Sequence, residues 1–227
     1  MMKHNELKKK YIQAAYEIIC VDGRIGVTIR RLGKMLDCNA ASLYRCFQDL
    51  DELFLYTGLK YVKSYLRDLY DLLQEPTNNM QRYLKVWECF MSHAFANPKM
   101  YNSIFFGAYS SKLGTVTEEY YTLLFPQELI QFDEKAQRIL IRGSFHTGDS
   151  MISQTLLKCV ADGFIREENR EYLDRLFLQI FKGYLKDFID GRLKAQNIES
   201  VTKEIILYYE EMLSHYLVKS NVPMDVL

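Results

Sequence analysis

The sequence predicts an all-α fold, and three observations carry that expectation. Four Pro and eleven Gly in 227 residues leave few helix breakers. Long stretches rich in Leu, Tyr, Lys and Glu repeat their apolar residues every three or four positions, with almost no strand-like alternation. With 48% hydrophobic residues, the chain can bury a sizeable core, as one large domain or two unequal ones.

The elements follow in order. The stretch ELKKKYIQAAYEIICVDG sets Leu7, Tyr11, Ala14, Ala15, Ile18 and Ile19 on one helical face, and Gly23 ends the helix. Thr28 is a good N-cap for a second helix of about two turns, with Ile29, Leu32, Gly33 and Leu36 on one stripe. Gly33 lets two helices cross closely. Asp37-Cys38-Asn39 then breaks the helix: Asp tolerates a left-handed backbone, Cys38 is a small hydrophobe, and Asn39 caps a third helix. That third helix carries Leu43 and Phe47 inward at i,i+4, so Ala41, Ser42, Arg45 and Gln48 are expected to face out.

The charge pattern gives this region a partner. Net charge is zero overall, yet residues 1–47 hold nine cations (Lys3, Lys8, Lys9, Lys10, Arg24, Arg30, Arg31, Lys34, Arg45) against Glu6, Glu17, Asp22 and Asp37, a net of +5. The other 180 residues therefore carry −5, as expected for a basic module on a mildly acidic body. Two short helices joined by a tight turn, the second presenting small and hydrogen-bonding side chains beside an Arg, suit the major groove of duplex DNA. Ala41 and Ser42 allow close approach to base edges, Arg45 reaches a guanine's O6 and N7, and Thr28, Arg30 and Tyr44 are placed to hold phosphates. With Asn39 and Gln48 these form the candidate DNA-contacting set. Spacing alone would equally suit a helical corner in an all-α protein; the charge asymmetry decides for DNA.

Residues 8–58 resemble the N-terminal DNA-binding domain of TetR-type bacterial transcriptional regulators. The matching positions are Ile12 and Ala15, Gly23, Thr28-Ile29-Arg30-Arg31-Leu32, Leu43-Tyr44-Arg45-Cys46-Phe47 and Glu52-Leu53, under a quarter of the chain. The resemblance implies a third helix in the major groove, Tyr44 on phosphate, a fourth helix linking to a variable body, and a body that dimerises and accepts a small molecule relieving repression. Three departures bear on affinity and operator choice. Asp37 stands where Gly is common, Ala40-Ala41 where Lys-Gly is frequent, and Leu50 where a Lys usually meets backbone phosphate.

Beyond residue 50, organisation is read from periodicity. One long helix runs from Asp51 to Pro76, and a second runs through TNNMQRYLKVWECFMSHAFAN to Pro98. A segment from Met100 to about Lys112 follows, then a helix from Thr117 to Phe125, with Pro126 opening a further helical segment. No internal repeat or low-complexity linker appears, so the expected division is a DNA-binding domain at 1–50 and a ligand-binding and dimerisation domain at 51–227. Aromatic and apolar side chains crowd the middle of the chain: Trp87, Phe90, Met91, Phe105, Phe106, Tyr109, Tyr120, Tyr121 and Phe145, with His93, His146 and Asp149 as scattered polar groups. Such a set suits a small, largely apolar effector, although helical aromatics pack cores as readily. Residues 168–190 place Leu173, Leu176, Phe177, Ile180, Tyr184 and Phe188 on one broad face, and residues 200–218 do so with Ile205, Tyr209, Met212 and Tyr216. Two such faces could meet their copies in a four-helix dimer interface.

Other classes fit poorly. No apolar run is long enough for a membrane span, and the N-terminus leads into a charged helix, so a cytoplasmic protein with no membrane partner is expected. Five scattered cysteines suit reduced, packed thiols rather than disulfides. There is no phosphate loop, HExxH, GxSxG or close Cys/His set, so no enzyme, metal or cofactor is expected. The expectation is a ligand-responsive regulator, a repressor that binds an inverted-repeat operator as a homodimer and is released by a small molecule. The alternative is a helical adaptor without sequence-specific DNA binding.

Overall fold

A computed structural model describes residues 2–130, 132, 134, 137 and 151–218. Among these are ten α-helices: α1 Met2–Asp22, α2 Ile29–Leu36, α3 Ala40–Tyr44, α4 Leu50–Gln74, α5 Asn79–Ala96, α6 Pro98–Phe106, α7 Leu113–Glu119, α8 Met151–Ala161, α9 Glu167–Ile189 and α10 Ile198–Tyr216. The fold is all-α, and α2 and α3 form a helix-turn-helix behind α1. No helix among the described residues is long and apolar enough to cross a membrane.

The chain packs as two compact units, Met1–Lys63 with Met100–Gly148, and Ser64–Lys99 with Asp149–Leu227. The division expected at residue 50 is one of function, whereas these units are drawn by packing: the first holds α1–α3, the start of α4, and α6 and α7. In it, α1 ends where Gly23 takes φ +68°, a backbone that only glycine adopts cheaply. The expected Met100–Lys112 segment is α6 followed by a 3-10 turn at Ser110–Lys112. The break falls at Gly107, where a Cβ would lie 2.2 Å from the Ser103 carbonyl oxygen. The expected Thr117–Phe125 helix begins earlier, at Leu113, and after Glu119 widens into a π-helical turn over Tyr120–Leu124. Pro126 opens a 3-10 turn.

In the second unit α5 is the central element, packed by α8, α9 and α10. Its core is aromatic. Phe177 and Tyr209 stack at 4.0 Å, Phe95 and Phe188 at 4.6 Å, and Trp87 meets Tyr209 at 5.4 Å and Phe181 at 5.7 Å. The Tyr209 hydroxyl donates to the Phe177 carbonyl at 2.7 Å, so α9 and α10 are pinned by both stacking and a hydrogen bond.

This core corrects two expectations. Leu173, Phe177, Phe188, Ile205 and Tyr209 are buried inside one chain and unavailable to a second copy; of the expected interface, Leu176, Ile180, Tyr184, Met212 and Tyr216 stay accessible. The apolar faces read as broad because each combines a core half with an accessible half. Trp87, Phe90 and Met91 are likewise core side chains of this unit.

Candidate nucleic-acid interface

The interface is built by caps and pins encoded within a few residues. Thr28 accepts a hydrogen bond from the Arg31 amide at 3.2 Å and starts α2; Asn39 accepts one from the Ser42 amide at 3.0 Å and starts α3. Between them Asp37 takes φ 51°, ψ 48°, the left-handed cap expected of it. Gly33 does allow a close approach, but to the turn: a Cβ there would sit 2.7 Å from the Cys38 carbonyl oxygen, whose residue also donates its amide to the Gly33 carbonyl at 2.9 Å. α3 ends at Tyr44, so Phe47 lies in the segment after it rather than one turn further along the same helix as Leu43, yet both are anchored in the core at 2% and 1% exposed.

Seven of the eight expected contact residues are exposed: Thr28, Arg30, Asn39, Ala41, Tyr44, Arg45 and Gln48. The eighth, Ser42, is corrected. It is buried, its hydroxyl donates to the Asn39 carbonyl at 2.6 Å, and it accepts from the Tyr11 hydroxyl. With its proton committed to Asn39, Ser42 has nothing left to donate to a base. It is a bolt between α3 and α1. Burial pushes the Tyr11 phenol and the Cys46 thiol up behind α3.

The start of α4 is held to the 103–112 segment. Asp49 caps α4 through the Glu52 amide at 2.9 Å and accepts from the Tyr109 hydroxyl at 2.7 Å. Partial burial opposes ionisation of Asp49, yet hydrogen bonds from Tyr109 and from the Glu52 and Asp51 amides, with Lys112 nearby, hold its carboxyl below the usual range. The same contact pushes Tyr109 up to about 12. Glu52 accepts from the Gln48 amide at 2.6 Å and pairs with Lys112 at 3.3 Å, while Arg24 bridges Asp51 at 2.5 Å and Ser103 at 3.0 Å. The acidic corner around Leu50 is thus largely compensated, and Leu50 itself is half-buried.

Tyr109 therefore ties the segment after α6 to the start of α4. Of the other expected effector-contacting residues in this unit, Tyr120 is fully buried and donates to Glu128 at 3.2 Å, Tyr121 is buried beside it, and Phe105 and Phe106 are half-buried on α6. His93, in the other unit, bonds Asp68 at 2.8 Å. Phe145, His146 and Asp149 lie outside the described residues.

Lys8, which the sequence offers only as one of nine N-terminal cations, forms with Tyr56 and Glu119 a polar cluster behind Phe47 in which Lys8 and Tyr56 are buried and Glu119 is half-buried. Lys8 stands three residues before Tyr11 and four before Ile12, so the helical repeat already put it on the apolar face of α1.

No protein-family model matches the chain, and no curated protein matches it in sequence. Solved structures of similar fold exist. One is a candidate TetR family transcription regulator from Shewanella sp. PV-4, at 12% identity over 93% of this chain and 98% of that one, with a TM-score of 0.49. A second is a TetR family transcription regulator from Marinobacter aquaeolei VT8, at 10% identity over 96% and 99%, with a TM-score of 0.49. A third is a transcriptional regulator from Rhodococcus sp. Rha1, at 14% identity over 90% and 96%, with a TM-score of 0.46. Two of the three bear the family description that the sequence resembles.

Proposed function

We propose that the chain is a ligand-responsive, DNA-binding transcriptional regulator and not an enzyme: a repressor that binds an inverted-repeat operator as a homodimer and is released by a small, largely apolar molecule. The observation that carries this reading is the outer face of α3 and the turn after it. Leu43 and Phe47 fix one side in the core, and Ala41, Tyr44, Arg45 and Gln48 are left exposed beside the exposed Thr28 and Arg30 of the preceding helix. A small residue flanked by a fork-shaped donor allows base-edge contact, and Tyr44, 55% exposed, adds a phosphate-reaching hydroxyl.

Dimerisation is supported by the need of so short a recognition helix for a second half-site, and by the accessible residues Leu176, Ile180, Tyr184, Met212 and Tyr216 on α9 and α10. Release requires the effector to favour the arrangement that binds DNA poorly, by about 1–3 kcal/mol for a typical coupling.

Selection of bound sequences from random duplex DNA tests the reading, because it reports the site and its symmetry together. An inverted repeat is expected. Arg45→Ala should then relax preference at one base position per half-site, costing about 1–3 kcal/mol there, while Tyr44→Phe should weaken all duplexes alike. Recovery of only asymmetric sites would refute the inverted-repeat homodimer, and recovery of no preferred sequence would refute DNA recognition and favour the helical adaptor.

A further inference from the structure

Three consecutive lysines occupy α1, and they do different things. Lys9 pairs with Glu6 at 2.9 Å on the surface, and Lys10 is exposed. Lys8 alone turns inward and is 6% exposed. A buried ammonium is costly unless its charge is matched and its donors are used. Here both conditions hold: Lys8 Nζ lies 2.7 Å from Glu119 Oε1 and 2.8 Å from the Tyr56 hydroxyl, and 4.0 Å from the centre of the Tyr56 ring. The Tyr56 hydroxyl in turn donates to the other Glu119 oxygen, closing a three-membered ring of contacts among α1, α4 and the end of α7.

The cluster is continuous with the recognition helix. The Tyr56 ring meets Phe47 edge-on at 5.5 Å, Phe47 meets Tyr11 edge-on at 6.3 Å, and Tyr11 bonds Ser42 inside α3. Lys8 Nζ also lies 5.5 Å from the Phe47 ring centre. An unbroken series of contacts within one compact unit thus runs from Glu119 to the middle of α3. Its outer end is a special place in the backbone, since Glu119 is the last residue before the π-helical turn at Tyr120–Leu124, a geometry concentrated at functional sites.

We propose that Lys8, Tyr56 and Glu119 are positioning residues for the recognition helix, holding Phe47, and through it α3, in the orientation that reads bases, and making that orientation depend on where the end of α7 stands. The inference rests on the DNA-binding reading above. Stability alone does not account for the cluster, because apolar side chains of similar volume often replace an ion pair with a buried ammonium at little cost or with a gain. What the polar ring supplies is a direction: the Lys8–Glu119 contact and the Tyr56 hydrogen bond are made in one register of α7 against α1 and α4, whereas apolar packing tolerates several.

The test replaces the whole ring with apolar groups, Lys8→Met, Tyr56→Phe and Glu119→Leu together, in the full chain. No charge is left stranded, and one cation and one anion are lost, so the non-specific electrostatic attraction to DNA is conserved. Melting temperature is measured beside affinity for the selected operator and for a scrambled duplex of equal length, at a temperature where the variant is folded. The expected result is a melting temperature near that of the wild type, scrambled-duplex affinity within about twofold, and operator affinity reduced at least tenfold. An unchanged operator-to-scrambled ratio, or equal loss on both duplexes, overturns the proposal. Should the triple variant fail to fold, Tyr56→Phe alone removes only the hydroxyl and should lower that ratio about threefold; an unchanged ratio overturns the proposal again. Wild-type protein that does not discriminate the two duplexes would instead refute the DNA-binding reading, a separate outcome seen before any variant is made.

Discussion

Gly33→Ala separates the geometry of the turn from the general behaviour of helices. Within α2, alanine in place of glycine should stabilise by up to about 1 kcal/mol through backbone entropy. At this position the added Cβ would lie 2.7 Å from the Cys38 carbonyl oxygen, well inside the 3.4–4 Å of ordinary contact. The obstacle is backbone, held by the Cys38 amide donating to Gly33 at 2.9 Å, so the turn must open rather than a side chain swing aside. Overpacking of this kind costs roughly 1–3 kcal/mol, which outweighs the propensity gain and leaves a net loss of up to about 2 kcal/mol. In a chain of this size that is a fall of up to about 8 °C in melting temperature. Opening the turn also displaces Asn39 and the start of α3, so operator affinity should fall more than affinity for scrambled duplex. Thermal melting by circular dichroism and fluorescence anisotropy on the two duplexes measure both effects. A raised melting temperature with unchanged operator affinity would show that the turn yields freely and that the close approach constrains nothing.

Ser42→Ala should cost about 1–3 kcal/mol, because it leaves the Tyr11 hydroxyl, on a residue 1% exposed, without its acceptor; Tyr11→Phe should cost less, since Ser42 still donates to Asn39. Chemical denaturation of the two variants compares them, and a Ser42→Ala protein of wild-type stability that loses a single base preference would restore the base-contact role that the fold denies it. Gly183 lies inside α9 with nothing within 4 Å of where a Cβ would be, so Ala there should strengthen the helix by up to about 1 kcal/mol. If the accessible α9 and α10 faces meet a second copy at this glycine, the same change weakens the dimer severalfold in sedimentation or light scattering, and an unaltered dimer would move the interface elsewhere.

The helix-turn-helix was legible because its determinants are local: Thr28 and Asn39 cap with their own side chains, and Asp37 takes a backbone that its residue type tolerates. Leu43 and Phe47 alone mark an inward face that leaves Ser42 outside it, and the structure differs. The buried face of α3 and the turn after it comprises Ser42, Leu43, Cys46 and Phe47, centred between the two pairs, since α1 crosses there and brings Tyr11. In the body, periodicity located α4, α5, α9 and α10, but it could not apportion an apolar face between core and surface. That depends on which neighbour arrives, and α5 claimed Phe177 through Tyr83 and Tyr209 through Trp87. The Lys8–Glu119 pair joins residues 111 positions apart, a separation that no local pattern encodes.

On the proposed DNA-binding reading, the same internal pairing limits how much of the N-terminal charge is available to phosphate, and this sets an expected salt dependence. Of the nine cations in residues 1–47, Lys8 is buried against Glu119, Lys9 pairs with Glu6, Arg24 with Asp51 and Arg31 with Asp22. On α2 and the recognition segment, Arg30, Lys34 and Arg45 are exposed and have no ion-pair partner among the described residues. If each neutralises one phosphate, a dimer neutralises six, and log affinity should fall with log salt at a slope of about −5. Should Arg45 spend its charge on a guanine, the slope shrinks to about −4. Leu50→Lys adds a cation at the first turn of α4, where Arg24 already compensates Asp51 and Tyr109 holds Asp49. Being half-buried, Leu50 tolerates a lysine whose stem stays packed while its ammonium reaches out. The slope should steepen by up to ~2 for a dimer, on operator and scrambled duplex alike. A wild-type slope near −10 would mean that cations outside this set, whether Lys10 of α1 or internally paired ones that let go of their partners, also reach phosphate, and an unmoved slope in Leu50→Lys would place the start of α4 away from the phosphate backbone.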